Sequence, residues 1–358
     1  MRLGIDIAPL LEAQWTGIPV FTRRLVQALA VSGKVELDFC VRLNRVPAEP
    51  VWGAIRAGSG AFLRDRHDRL RPGEGEAIDP ALPLLYPSVK QAAGAVPREA
   101  STIHDISTLV LPDTHTPENV AFHLGPLRAQ LLTDEATFCC SEATRAALTA
   151  TFPWMAPKAR LLMQYADWPD SFALLDSNLP DVALGPYAVV VATIEPRKNL
   201  GLLLRALDQP AVARTGLHFV VIGRRGWQAD EALAQLSPAA RARVTFTGFV
   251  SEFIKYRLLR NAEFMVLPSI YEGFGIPAVE AMSLGKPVLA AMTSSFPEVI
   301  GDAGLYFDPF SVTELADGIA EMANPARRAE LAARAPAQAA SFHPARMAAP
   351  VLDWLSAG

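Results

Sequence analysis

Two glutamates with seven residues between them, Glu272 and Glu280, stand in the segment PSIYEGFGIPAVEAMSLGKPVLA from Pro268 to Ala290. Carboxylates accept hydrogen bonds from hydroxyls, so such a pair beside a glycine-bearing loop suits a polyol. Gly273, Phe274, Gly275 and Ile276 lie between them, and the two glycines let backbone approach a ligand closely. Pro277 suits the first turn of a helix that Gly285 ends. A helix start beyond the carboxyl end of a strand attracts phosphate through its unpaired amides and its dipole. Taken singly, Glu280 reads equally well as an acid complementing the helix dipole, and Glu272 as an ordinary loop carboxylate.

A second cluster, TIEPRKNL from Thr193 to Leu200, carries Arg197 and Lys198 in a predicted strand-to-helix turn. Cations there can neutralise a diphosphate leaving group, or they can be the solvated charges of a helix start. Arg224 and Arg225, just after a strand predicted to end at Gly223, are further candidates for the same task.

The elements that must position these residues are short β-branched runs alternating with helical patterns. In the second half they are YAVVVAT from Tyr187, HFVVIG from His218, VTFTG from Val244, AEFMVLP from Ala262 and KPVLAA from Lys286. Near-continuous apolar strands separated by helices predict a parallel sheet covered on both faces. The first half repeats the theme less cleanly, with strands at Arg2, Val35, Ser101, Ala136 and Ala159 and a helix from Val20 to Ala30. The stretch 48–81 reads as a loop rich in arginine, with Arg64, Arg66, Arg69 and Arg71 close together. That cluster is either a solvated face or a contact with an acceptor or membrane surface. Prolines and polar residues between Trp168 and Pro186 read as an interdomain linker.

At 358 residues, 51% of them hydrophobic and 20% charged, the chain has the apolar content for two cores and is not globally disordered. A formal net charge of -4, without a basic stripe interleaved with aromatics, argues against a nucleic-acid partner. Cys40, Cys139 and Cys140 lack metal-ligand spacing and read as reduced core residues. Asp6 and Glu12 interrupt the N-terminus before any long apolar run, so neither a signal peptide nor a spanning helix is expected there. The expected location is cytoplasmic, with any membrane contact peripheral, at the inner face of the cytoplasmic membrane.

Residues 185 to 310 resemble the donor domain of the retaining glycosyltransferases of family 4. The motifs that carry the resemblance are EPRKN at Glu195 to Asn199, VTFTGFVS at Val244 to Ser251, YEGFGIPAVEAM at Tyr271 to Met282 and SSFPEVIGDAGLYFDP from Ser294 to Pro309. The resemblance implies an α/β chain of the GT-B fold, two Rossmann-like doubly wound domains facing across a cleft. It divides the chain into an N-terminal acceptor-side domain over 1–170, a linker over 171–185 and a donor-binding domain over 186–342. The final segment, 343–358, resembles the family's last helix, which completes the first domain.

By the same resemblance Glu272 contacts the donor sugar, Glu280 holds the nucleotide ribose and Lys198 contacts the diphosphate. Backbone at Gly273, Phe274, Gly275 and Ile276 lines the sugar and phosphate, and Phe249 and Val250 neighbour the base. In the first half Gly17, within WTGIPVFTRRL, resembles the glycine turn beneath the sugar and diphosphate. His104, in TIHDIS, resembles the family histidine at the cleft; a lone histidine is otherwise a structural residue more often than not. Many relatives carry an arginine shortly after the first donor-domain strand. This sequence has Ala192 and Thr193 there, which leaves Arg197 or Arg224 to share the diphosphate with Lys198.

The expected activity is transfer of a sugar, with retention, from a nucleotide-diphosphate donor to a hydroxyl of a glycan or lipid-linked oligosaccharide in surface polysaccharide biosynthesis. GDP-mannose is the first guess among donors. His104, Lys198 and Glu272 are the expected catalytic residues, and no metal or other cofactor is expected to be required. The alternatives are an inactive transferase-like sugar- or nucleotide-binding scaffold and a nicotinamide-dependent oxidoreductase. The latter calls for a glycine fingerprint after the first strand, which GIDIAPLLEAQWTG does not supply.

Overall fold

The computed structural model describes residues 1–67, 74–90, 92–180, 182, 184–234 and 236–357. Among these, one sheet is built from β1 (Arg2–Asp6), β2 (Glu36–Val41), β3 (Asn44–Val46), β4 (Leu84–Tyr86), β5 (Glu99–Ile103), β6 (Asp134–Cys139) and β7 (Ala159–Leu161), in the order β3-β2-β1-β4-β5-β6-β7. Its pairs are parallel except β2 with β3. Arg42 and Leu43 turn that hairpin with φ of 51° and 65°, a two-residue turn usually made by Asn or Gly.

The second sheet contains β8 (Tyr187–Val191), β9 (His218–Ile222), β10 (Val244–Gly248), β11 (Phe264–Leu267), β12 (Val288–Ala291) and β13 (Gly304–Phe307). Its order is β10-β9-β8-β11-β12-β13 and every pair is parallel. Helices connect the strands, as parallel crossovers require. Val190, Leu203, Phe219, Val266, Leu289 and Ile319 share one buried core. The apolar runs of β8 and β9 are continuous because both faces of a covered parallel sheet exclude water.

The chain divides into two compact units. One contains Met1–Val110, Pro117–Tyr165 and Phe342–Gly358; the other contains Leu111–Thr116 and Ala166–Ser341. The C-terminal helix Pro344–Ser356 packs on the helix Gly17–Val31 within the first unit. There Trp354 is buried, donates from Nε1 to Glu135 at 3.0 Å and stacks edge-on against Phe138.

Three expectations are corrected. The stretch 48–81 contains the helices Ala48–Ala57 and Ala61–His67 rather than only loop, while Arg69 and Arg71 lie outside the described residues. The stretch 171–185 is not a plain linker, because its start belongs to the helix Asp170–Ser177 and the unit boundary falls at Tyr165, not at residue 170. Phe172 packs on Phe253 and Tyr256, and Asp176 pairs with Arg257 at 2.7 Å, which holds the helix in the second unit. Its proline stands outside the helix, at the N-cap Pro169, where it does no damage. The first sheet also contains β3 and β4, which no sequence run announced. The three cysteines are free and buried, as expected.

Candidate functional site

In the second sheet the strand order reverses between β8 and β11, and an open parallel sheet leaves a crevice at the carboxyl ends on either side of such a reversal. The segment following β8 is Ala192–Asn199, and the one following β11 is Pro268–Gly275. They are stitched together, since the Ile270 amide donates to the Arg197 carbonyl at 2.9 Å. Asn199, in the left-handed region at φ 53°, donates from Nδ2 to the carbonyls of Pro268 at 3.1 Å and Pro309 at 2.8 Å. One side chain thereby ties the turns after β8, β11 and β13.

Glu272 sits at the centre of this seam. Lys198 Nζ donates to its Oε1 at 2.5 Å, Ser269 Oγ to the same oxygen at 2.7 Å, and Arg197 Nη1 to Oε2 at 3.4 Å. The Glu272 amide donates to Ser294 Oγ at 2.9 Å, and Ser295 Oγ donates to the Glu272 carbonyl at 3.0 Å. Lys198, Glu272 and Arg197 expose only 17%, 14% and 12% of their side chains, so this is a partly desolvated cluster rather than a surface pair. Burial works against the charge on Glu272, but the ammonium of Lys198 and the guanidinium of Arg197 prevail and hold its carboxyl below the ordinary range. Arg197 also donates to the Tyr271 carbonyl at 2.8 Å and to Glu195 at 3.1 Å, which turns it into a brace for the Glu272 loop.

Gly273, Phe274 and Gly275 are buried, and Ile276 begins the helix Ile276–Ser283. Gly275 takes φ 90° at the N-cap, and a Cβ there would stand 2.9 Å from the Phe296 ring. Glycine is required on both counts, and as a cap it offers no side chain to the first-turn amides. Glu280, one turn into the helix, is buried; both its oxygens are within 3.0 Å of Lys255 Nζ, at 3.0 and 2.9 Å. Glu272 and Glu280 therefore belong to one loop-helix unit, each facing its own lysine.

The remaining candidates surround the same sheet edge. The β8–β9 pairing continues past both strands: Ala192 donates to Ile222, Ile194 to Arg224 and Gly226 to Ile194. Gly223 lies so close to Ala192 that a Cβ on it would overlap the Ala192 carbonyl. Arg224 and Arg225 are thus beside the Thr193–Asn199 segment, both exposed, with Arg225 paired to Asp230 at 3.3 Å. Phe249, 40% exposed, and Val250 follow β10, just before the Ser251-capped helix Glu252–Asn261.

In the first unit Gly17 opens the helix Gly17–Val31 with open space around its Cα, and the reversal of that sheet falls between β1 and β4. His104 follows β5. Its Nε2 meets the Pro87 carbonyl at 2.8 Å and must carry the proton, since a carbonyl only accepts; Nδ1 then accepts from the Cys140 thiol at 3.4 Å. Burial lowers its pKa to about 4. The ring is neutral at pH 7 with both nitrogens engaged, and it departs in this respect from a histidine poised to titrate.

Lys255, Ser269 and Ser294 were not legible as site residues in the sequence. Lys255 lies in a polar helical run, and the two serines look like loop residues; only the fold brings them to the glutamates.

The family model for glycosyl transferases group 1 matches residues 183–338. Among curated relatives, O-antigen chain mannosyltransferase B of Escherichia coli is 32% identical over 254 residues, 68% of this chain and 66% of its own length. Over residues 183–338 the chain is therefore similar to the group 1 glycosyl transferases. A further relative, the serotype-specific mannosyltransferase WbdA of Escherichia coli, is 32% identical over 170 residues, 46% of this chain and 20% of that protein. The chain therefore spans just under two thirds of the first relative and a fifth of WbdA. Among solved structures, the chain superposes with a TM-score of 0.70 on sucrose-phosphate synthase from Thermosynechococcus elongatus, at 18% identity and 100% coverage of both chains. It also superposes with a TM-score of 0.68 on WaaG, a glycosyltransferase involved in lipopolysaccharide biosynthesis, at 15% identity, covering 99% and 100% of the two chains. These likenesses establish the GT-B fold, with its two Rossmann-like units.

Proposed function

We propose that this protein transfers a sugar, with retention at the anomeric carbon, from a nucleotide-diphosphate sugar to a hydroxyl of a glycan or lipid-linked acceptor during surface polysaccharide synthesis. The observation that carries the reading is the contact between Lys198 and Glu272 at the strand-order reversal of the second sheet. An ammonium has three donors, so Lys198 can keep its bond to Glu272 and direct others to phosphoryl oxygens. In the proposed site the helix start at Ile276 and Lys198 bind the diphosphate, Glu272 accepts from hydroxyls of the sugar, Glu280 accepts from the ribose, and Phe249 and Val250 flank the base. Arg197 holds Glu272 in place, and Arg224, exposed beside the same segment, is the cation that supplements Lys198.

As the glycosidic bond breaks, negative charge grows on the leaving diphosphate, and prearranged cations and amides stabilise it without reorganising. A donor phosphate oxygen takes the acceptor hydroxyl's proton on the face that the leaving group vacates. His104, neutral and with both ring nitrogens engaged inside the first unit, and Gly17 at its helix start are proposed donor-side residues of that unit. The cations, rather than a metal ion, carry the leaving-group charge. The likeness to O-antigen and serotype-specific mannosyltransferases favours a mannosyl donor, for which GDP-mannose is the proposed form.

Work at the inner membrane face is part of the proposal. Phe62 is 60% exposed with the Arg66 guanidinium 5.5 Å above its ring, a combination suited to an anionic lipid surface. Among the described residues no helix is long and apolar enough to cross a membrane.

The test is a panel of GDP-, UDP- and ADP-sugars read by thermal shift and donor hydrolysis, with Glu272→Ala and Lys198→Ala as controls. A GDP-sugar should stabilise the parent and neither variant; stabilisation by none of the panel overturns the reading. Activity that survives chelation and a product with the donor's anomeric configuration are the expected results for metal independence and retention.

A further inference from the structure

Glu280 is buried and its carboxylate is gripped by a residue from a different element. Lys255 comes from the first turns of the helix Glu252–Asn261, where the helix dipole disfavours a cation and where the capping serine, Ser251, is followed by an acid, Glu252. A lysine placed against that preference calls for a local reason. Its Nζ bridges both Glu280 oxygens at 3.0 and 2.9 Å, and only 16% of the Lys255 side chain and 2% of the Glu280 side chain are exposed.

The lysine is itself held. Its ammonium lies 5.3 Å over the Trp168 ring, an attractive arrangement for a cation. Trp168 packs edge-on against Tyr256, the residue after Lys255, and donates from Nε1 to Ser283 Oγ at 3.0 Å. Ser283 Oγ in turn donates to the Glu280 carbonyl at 2.8 Å. A closed circuit results, Glu280 to Lys255 to Trp168 to Ser283 and back to Glu280, joining the helices Glu252–Asn261 and Ile276–Ser283 through the segment that enters the second unit.

We propose that Lys255, backed by Trp168, is the positioning residue that aims the Glu280 carboxylate at the ribose hydroxyls of the nucleotide. The inference rests on the proposed role of Glu280 and adds to it the means by which a carboxylate on a short helix holds one direction. Bidentate contact with one ammonium fixes the plane of both oxygens. Without it the side chain turns among rotamers, and hydroxyl recognition is spread over several geometries. Lys255 then acts on affinity for the ribose-bearing part of the donor and leaves the step at the anomeric carbon, managed at Lys198 and Glu272, largely alone.

The experiment compares binding of a nucleoside diphosphate with its 2′-deoxy counterpart, by calorimetry, to the full chain and to Lys255→Met, Lys255→Arg and the pair Lys255→Met with Glu280→Gln. The base is chosen as whichever of GDP, UDP or ADP binds the parent. A hydrogen bond to a charged group corresponds to roughly tenfold or more in affinity, so the parent should prefer the ribonucleotide by about that factor. Lys255→Met should lose most of this preference, Lys255→Arg should recover part of it, and the double variant should be no worse than Lys255→Met. Donor KM should rise in Lys255→Met while kcat stays within a few-fold. The double variant keeps the test open if the single one folds poorly, since it leaves no unpaired charge. Undiminished ribose preference in Lys255→Met overturns the positioning role and leaves the donor reading standing, whereas undiminished preference in the double variant overturns the ribose role of Glu280 as well. Failure of the parent to bind any of the three diphosphates overturns both.

Discussion

At the scale of single residues, charge is managed by pairing each buried acid with a specific partner, and the exceptions are informative. Lys198 and Arg197 keep Glu272 ionised against the desolvation that burial imposes on it. Lys198→Ala should therefore reduce kcat/KM by about 10²–10³, the range found for removing one donor to developing negative charge. Combining it with Glu272→Gln should cost less than the two separate losses multiplied, because the pair acts as a unit. Asp6 is the opposite case. One oxygen accepts from the Ala8 amide at 2.7 Å while Oδ2 is buried without a hydrogen bond among the described residues, and burial raises the pKa to about 6. The folded form thus holds its proton up to about pH 6, whereas the unfolded chain releases it near 3.8. The stabilising contribution is complete below the lower value and is lost as pH rises through 6, by roughly 3 kcal/mol. Asp6→Asn, which keeps the acceptor for Ala8, should raise the melting temperature at pH 8 and change it much less at pH 4; equal effects at both pH values would refute the account.

At the scale of elements, tight backbone and buried ion clusters hold the loops that carry chemistry. Gly275→Ala puts a side chain at φ 90° and against Phe296, and should destabilise by about 1–3 kcal/mol while weakening donor binding. Chemical denaturation and calorimetry would read the two effects separately. In the first unit Lys90 is fully buried between Glu99 at 2.8 Å and Asp134 at 2.6 Å. Glu99 also accepts from the amides of Gly94, Ala95 and Val96, so one cluster fastens the loop before β5 to the starts of β5 and β6. Lys90→Met strands two carboxylates out of water and should cost about 3–5 kcal/mol in denaturant melts. A loss well under 1 kcal/mol would mean that the loop is held by its apolar contacts instead.

At the scale of the whole molecule, the first unit is not finished until the last helix is made. Trp354, Met347 and Val351 are buried, and Arg98 donates to the Trp354 carbonyl at 2.8 Å while its guanidinium lies over the indole. Removing residues 342–358 should abolish the cooperative unfolding of the first unit in calorimetry while leaving the second unit's sheet folded; a truncated chain with both units intact would contradict this. The sequence by itself determined the parts whose signal is local. Near-continuous apolar runs marked β8, β9, β11 and β12, because burial on both faces leaves no room for polar alternation, whereas the half-buried edge strand β10 alternates as VTFTG. The YEGFGIPAVEAM and EPRKN segments marked where the site lies, since glycine, proline and asparagine at turns leave a sequence trace. Other features had no such trace. β3 is turned by Arg42 and Leu43, residues that give no turn signal, and β4 is three residues long, so both exist only because neighbouring strands complete their hydrogen bonds. Lys255 and Trp168 come to Glu280 from separate segments. Pattern along a chain records burial and local turn geometry, whereas the partner of a buried charge is chosen by packing between distant elements, and that choice was made only by the folded molecule.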